Sequence, residues 1–206
     1  ARLLLNRGAG LLWAMRVVRG REKPIDPDFV RRNYYKCHLS LGDALLIAWG
    51  RHKTSYTGRD ERLHTLMMDE DNIRSLQLDR PYQLALQFKF RPDHDTDISI
   101  NLSDLQKLAH LWGLVYLLVE QRRTGLSWLS MTDYCDWDDF REPEQHGVRN
   151  WPRNIVHNKR MGLWSLTYPR ERLYRTLPGL LGLVDGDTAE WDTESLAFLD
   201  VWNRFN

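Results

Sequence analysis

Lys36, Ser40 and Asp43 follow one another at intervals of four and three residues, so a helix carrying them shows an amine, a hydroxyl and a carboxylate on one face. Directly after them come Arg51, His52, Lys53, Ser55 and Tyr56, then Arg59 and Arg62. Such a set suits a phosphate or a sugar, because cations supply charge and hydroxyls supply hydrogen bonds. The candidate ligand-binding residues in this stretch are Lys36, Asp43, Arg51, Tyr56 and Arg62, with Arg51 as an anion contact and Tyr56 as a hydroxyl or stacking group. The alternative is a plain Lys36–Asp43 surface pair beside a solvated basic loop.

Other chemistries find fewer supports. An Arg and a His one helical turn apart can stabilise a phosphorane and move a proton, as a ribonuclease requires. Arg153 with His157 meets that spacing inside a helical pattern, whereas Arg141 with His146 is interrupted by Pro143. Two-metal nucleotidyl transfer needs a Gly-Ser turn followed by paired carboxylates. The alternating acids Asp93, Asp95 and Asp97, and Asp185 with Asp187, follow no such turn and read as solvated loops. No GxxxxGK[ST], GxGxxG, GxSxG or HExxH occurs in the sequence. The run Asn6-Arg7-Gly8-Ala9-Gly10 lies within a helical pattern, so its glycines predict close helix packing. No metal site is predicted, since the only cysteines are Cys37 and Cys135 and no Cys/His cluster has zinc spacing.

The elements that must position these residues are helical. Residues 1–19 carry a broad apolar face built from Leu4, Leu5, Leu11, Leu12, Met15 and Val18. Residues 28–49 read as the central helix, with Asp26 or Asp28 as its cap, Pro27 in the first turn and Gly50 as its stop. Its seam is Val30, Tyr34, Cys37, Leu41, Ala44 and Ala48, nearly opposite the Lys36–Asp43 face. Shorter helices are expected from about residue 60, over 72–78 and over 80–90. Ser103 and Gln106 suggest a capping box for a long helix over 104–124, whose seam is Leu105, Leu108, Trp112, Val115 and Val119. After short turns over 126–148, helices are expected at 152–164, 170–181 and 192–204, the last with Leu196, Leu199 and Trp202 inward. No hairpin or βαβ alternation appears. The predicted fold is all-α, an antiparallel helical bundle with additional short helices and long loops. Residues 1–206 read as a single helical domain, with a core bundle over 1–125 and decorating helices over 126–206.

Composition agrees with a globular chain. Of 206 residues, 42% are apolar and 28% charged, so disorder of the whole is a poor reading. Nine tryptophans spread along the length suggest a Trp-rich core. The net charge of +1 hides two basic stretches around an acidic one. Residues 1–62 hold 13 Lys/Arg against 6 Asp/Glu, residues 93–142 hold 4 against 10, and residues 149–175 hold 7 against 1. An anionic ligand or an acidic partner face fits the basic stretches. The longest apolar run, residues 108–119, is too short for a bilayer, which needs about 20 residues. Free thiols and the lack of a secretory signal predict a cytoplasmic protein without membrane contact, and nucleic acid is not an expected ligand.

The stretch RRNYYKCHLSLGDALLIAWGRHKTSYTGRDERL at 31–63 resembles the helical domain that follows the catalytic domain in a group of bacterial and archaeal nucleotidyltransferases. Tyr35, Lys36, Leu41, Asp43, Ala44, Leu45, Leu46, Gly50, Ser55, Tyr56 and Arg62 carry the likeness. LLNRGAGLLWAM near the start and YPRERLYRTLPGLL at 168–181 add to it. The related superfamily includes kanamycin-nucleotidyltransferase-like domains and HEPN-like helical partners, some of which are ribonucleases with four to six residues between an Arg and a His. Arg153–His157 is one residue short of that motif.

The resemblance implies a non-catalytic substrate-binding or interaction domain, packed beside a catalytic nucleotidyltransferase domain in cis or in trans. It implies no cofactor in this chain, with Mg2+ and a nucleotide belonging to the parent protein. The mid-helix start of the sequence leads to the expectation that the catalytic domain lies upstream. A HEPN-type ribonuclease and a pure protein-interaction bundle are the alternatives.

Overall fold

A computed structural model describes the chain except residues 93–98, 140–141, 161–165, 185–189 and 206, and the side chains of His157, Arg160 and Phe205. The alternating acids at 93–97 and 185–187, Arg141 and Trp164 therefore lie outside the described residues. Those described are all-α, with no strand among them. They form two compact units, residues 1–128 and 129–206.

The first unit is built on α1 (Arg2–Val18), α2 (Phe29–Ala48), α3 (Arg59–Asp69), α4 (Asp71–Arg74), α5 (Asp79–Phe90) and α6 (Leu102–Thr124). Helix α2 is apolar on several sides and touches α1, α3, α5 and α6. A helix apolar on several sides needs cover on several sides, and this one has it. Register fixes the topology. Trp13 meets Phe29 with ring centroids 5.4 Å apart, and a Cβ on Gly10 would lie 2.5 Å from Asn33 Oδ1, so α1 runs antiparallel to α2. Tyr35 stacks on Phe88 at 4.5 Å while Asp43 meets Tyr82, so α5 is also antiparallel to α2. The Trp112 indole donates to the Leu4 carbonyl at 2.9 Å, tying α6 to α1. The result is an up-down-up-down antiparallel bundle whose first helix packs closely through its small residues, as the glycines predict.

Helix ends show where local chemistry decides. Gly50 has φ +69°, which a side chain resists. Its N–H donates to Ile47 O and that of Arg51 to Leu46 O, the paired bonds of a Schellman stop. Two end assignments are corrected. Helix α2 starts at Phe29, so Pro27 lies before it; Asp28 is the cap residue but its carboxylate takes Arg31 instead of a helix N–H. The capping box of α6 is Asn101 with Asp104, not Ser103 with Gln106. Asn101 holds an extended φ of −102° and ψ of 176°, which leaves its side chain free to accept from the third helical N–H. The predicted seam of α6, from Leu105 to Val119, is buried throughout.

In the second unit, α7 (Met131–Asp136) packs on α9 (Arg170–Leu180), which packs on α10 (Trp191–Phe205). Helix α8 (Trp151–Arg160) follows a 3-10 turn. The inward face of α10 is Trp191, Ser195, Phe198 and Leu199; Leu196, expected inward, is 55% exposed. Leu199 is buried as expected and Trp202 is half-buried, so Leu196 alone departs from the expected face; the Trp191 indole donates to Leu180 O at 2.8 Å.

The tryptophans do not all form a core. Trp112 and Trp191 are buried with bonded indoles, whereas Trp13 and Trp49 are half-buried with indole N–H groups that have no hydrogen-bond partner among the described residues. Trp151 lies on the surface. Cys37 and Cys135 are not joined in a disulfide, and burial pushes the Cys37 thiol up to about 12, which leaves it unreactive. No described helix is long and apolar enough to cross a membrane.

Candidate functional site

Helix α2 carries one face with three polar side chains. Lys36, Ser40 and Asp43 share that face, but their fates differ. Lys36 is exposed. Ser40 is buried and spends its hydroxyl on Cys37 O at 2.7 Å, so no donor remains there for a ligand. Asp43 does not form the surface pair with Lys36. Arg59 Nη1 donates to both of its oxygens at 3.1 Å, and the Tyr82 hydroxyl donates to Oδ1 at 2.7 Å. Only 3% of the Arg59 side chain and 14% of the Asp43 side chain are exposed. Burial and the Asp43 carboxylate both push the Tyr82 phenol well above its ordinary range, so it stays a donor.

The other fork of Arg59 explains why this pair is buried. Nη2 donates to the carbonyls of Lys53 and Thr54 at 2.9 Å and of Ser55 at 3.3 Å. Three loop carbonyls turned inward would otherwise lose their hydrogen bonds to water. One guanidinium thus fastens residues 53–55 onto α2. Arg62, one turn further along α3, donates to Thr57 O at 3.1 Å and Ser55 O at 3.3 Å, which finishes the loop. The basic segment between α2 and α3 is thereby held in one shape.

That shape makes two concavities. A notch of about 300 Å³ is lined by Gly50, Arg51, His52, Lys53, Arg62 and Thr65. Arg51 there is paired with Asp69 at 2.8 Å. A larger cleft of about 830 Å³ runs along α5 and is lined by Tyr35, Tyr56, Asp60, Gln87, Phe88 and Arg91, among others. Tyr56 stands at its edge, with the Arg59 guanidinium 3.8 Å and the Lys89 ammonium 4.6 Å from its ring centroid. Both distances fall within cation–π range. The structure thus brings Arg51 and Arg62 to one notch, puts Tyr56 in the neighbouring cleft, and sets Asp43 behind the loop as the acid that holds Arg59. Lys36 lines neither cavity.

Arg59, Tyr82 and Lys89 are the partners that sequence spacing missed. Arg59 was visible as one more loop cation, but nothing in a linear pattern distinguishes a buried staple from a solvated charge. Tyr82 is far from Asp43 in the chain, and only the α2–α5 register unites them.

In the second unit, Arg153 is exposed on α8, and the His157 side chain lies outside the described residues. His146 faces Glu171 at 3.4 Å, and Glu171 also accepts the Glu142 N–H at 2.9 Å. Tyr174 donates to Glu142 at 2.5 Å. Among the described residues, no group of three His, Cys, Asp or Glu converges as a metal site. Comparison with protein-family models, with curated proteins and with solved structures finds no match to this chain.

Proposed function

We propose that the first unit is a non-catalytic ligand-holding module of a cytoplasmic, nucleotidyltransferase-like protein, serving a catalytic domain supplied in cis or in trans. The observation that carries this reading is the Asp43–Arg59–Tyr82 clamp. It spends a buried ion pair on fixing a loop whose solvent side is cationic, and rigid loops bind without a large ordering cost. Arg51, Lys53 and Arg62 contact the anionic part of the ligand, and Tyr56 offers a ring or a hydroxyl to the remainder. Asp43 orders the loop and does not touch the ligand. Mg2+ and the nucleotide belong to the catalytic partner.

Titration of the purified 206-residue chain with ATP, followed by amide NMR, tests this. Shifts should cluster on residues 50–65 and weaken about tenfold in Arg62→Gln, the worth of one charge-assisted hydrogen bond. Metal-dependent nucleotide transfer by this chain alone would sink the non-catalytic assignment. Shifts absent from the loop would sink the site.

A further inference from the structure

Antiparallel registers bring together three cations that the sequence keeps far apart. Gly10 of α1 faces Asn33 of α2. In an antiparallel pair, stepping back three residues on one helix matches stepping forward three on the other. Arg7 therefore lies level with Lys36. On the other side, the Tyr35–Phe88 stack sets Lys36 and Lys89 at neighbouring levels of α2 and α5. Lys89 is held in place by the Tyr56 ring, and both lysines are exposed. Among the described residues, none of Arg7, Lys36 and Lys89 has a carboxylate within ion-pair range. Arg32, on the next turn of α2, is paired with Asp26.

We propose that Arg7, Lys36 and Lys89 form an anion-binding surface cluster, contributed by three helices, for a phosphate-type oxyanion carrying two or more negative charges. Uncompensated like charges destabilise a fold, and one monoanion would leave most of this excess in place. A phosphate or pyrophosphate group meets all three cations with several acceptor oxygens. The Lys36 ammonium already feels the excess: burial lowers its proton affinity first, and then Arg7, Arg32 and Lys89 lower it further against the single opposing pull of Asp26. This cluster shares no residue with the Arg51–Arg62 notch and stands or falls separately from it.

The test is calorimetric titration of the full chain with inorganic pyrophosphate at low ionic strength, where exposed charges are least screened. Saturable binding is expected. Arg7→Gln, Lys36→Gln and Lys89→Gln should each weaken it about tenfold, the loss of one charge-assisted hydrogen bond. Lys107→Gln, an exposed cation elsewhere on α6, should leave it unchanged. Orthophosphate binding as tightly as pyrophosphate assigns the cluster to one phosphate group, and tighter pyrophosphate binding assigns it to a diphosphate. Circular dichroism of each variant separates lost binding from lost folding. The proposal is overturned if the triple variant binds pyrophosphate like the parent, if only an Arg51→Gln/Arg62→Gln variant loses it, or if a short single-stranded RNA binds this face more tightly than pyrophosphate does.

Discussion

Replacing Asp43 by Asn probes the clamp with the least change of shape. Asn keeps an oxygen that can accept from Tyr82, so the loss is mainly that of charge. At the observed 3.1 Å separation from Arg59 and an effective dielectric of about 20, the attraction between unit charges is about 5 kcal/mol. Desolvation of both groups takes back much of that in the intact pair. It does not take it back in the variant, where a buried guanidinium remains without its counter-ion. Removal of one partner of a buried pair costs about 3–5 kcal/mol. For a unit of this size that corresponds to a fall of about 10–20 °C in melting temperature. Urea unfolding followed by circular dichroism reads the loss directly, and limited trypsin digestion at Lys53 should speed up as the loop is released. Adding Arg59→Met to Asp43→Asn removes the stranded cation and should recover part of the loss. A loss under about 1 kcal/mol in Asp43→Asn, or further loss in the double variant, would refute the clamp as the support of the loop.

Two further predictions concern the same bundle. His38 is buried beside Tyr34 with ring centroids 4.6 Å apart, and burial pushes its pKa down to about 4 from an ordinary 6.5. The fold therefore favours the neutral ring. Stability is full above the unfolded value and is lost as pH falls from 6.5 through 4, by about 3 kcal/mol. His38→Gln should flatten the urea midpoint across that window; an unchanged slope contradicts the assignment. A Cβ on Gly42 would lie 2.4 Å from the Tyr82 ring, which its hydroxyl bond to Asp43 prevents from swinging away. Gly42→Ala should thus cost about 1–3 kcal/mol of overpacking despite better helix propensity. Gly179→Ala on α9 meets nothing within 4 Å and should stabilise by about half a kcal/mol, so equal effects in a thermal melt would count against the packing argument.

Much of the fold was legible in short-range pattern. The seam of α6 and the Gly50 stop follow from periodicity and one positive φ, and both depend on residues within a few turns of one another. The capping box failed at this same range, because Ser103 and Asn101 are both good caps and it is Asn101 that takes the extended backbone a cap requires. On α10, Leu199 is inward as its period indicates, but Leu196 fits the same period and is exposed while Phe198 is buried, a choice that only the packing of the unit makes.

The candidate site divides in the same way. The sequence by itself determined that a basic, hydroxyl-bearing segment follows a central helix, and that Lys36, Ser40 and Asp43 share one face of it. Those facts need only helical periodicity and residue chemistry. Tertiary structure decided what each residue does there. Asp43 is a loop anchor because α3 delivers Arg59 and α5 delivers Tyr82 to it. Lys36 lies near the level of Arg7 and Lys89 because two antiparallel registers align them. The physical reason is that a side chain's role depends on which charges and walls surround it, and those arrive from segments tens of residues away whose register no local pattern encodes.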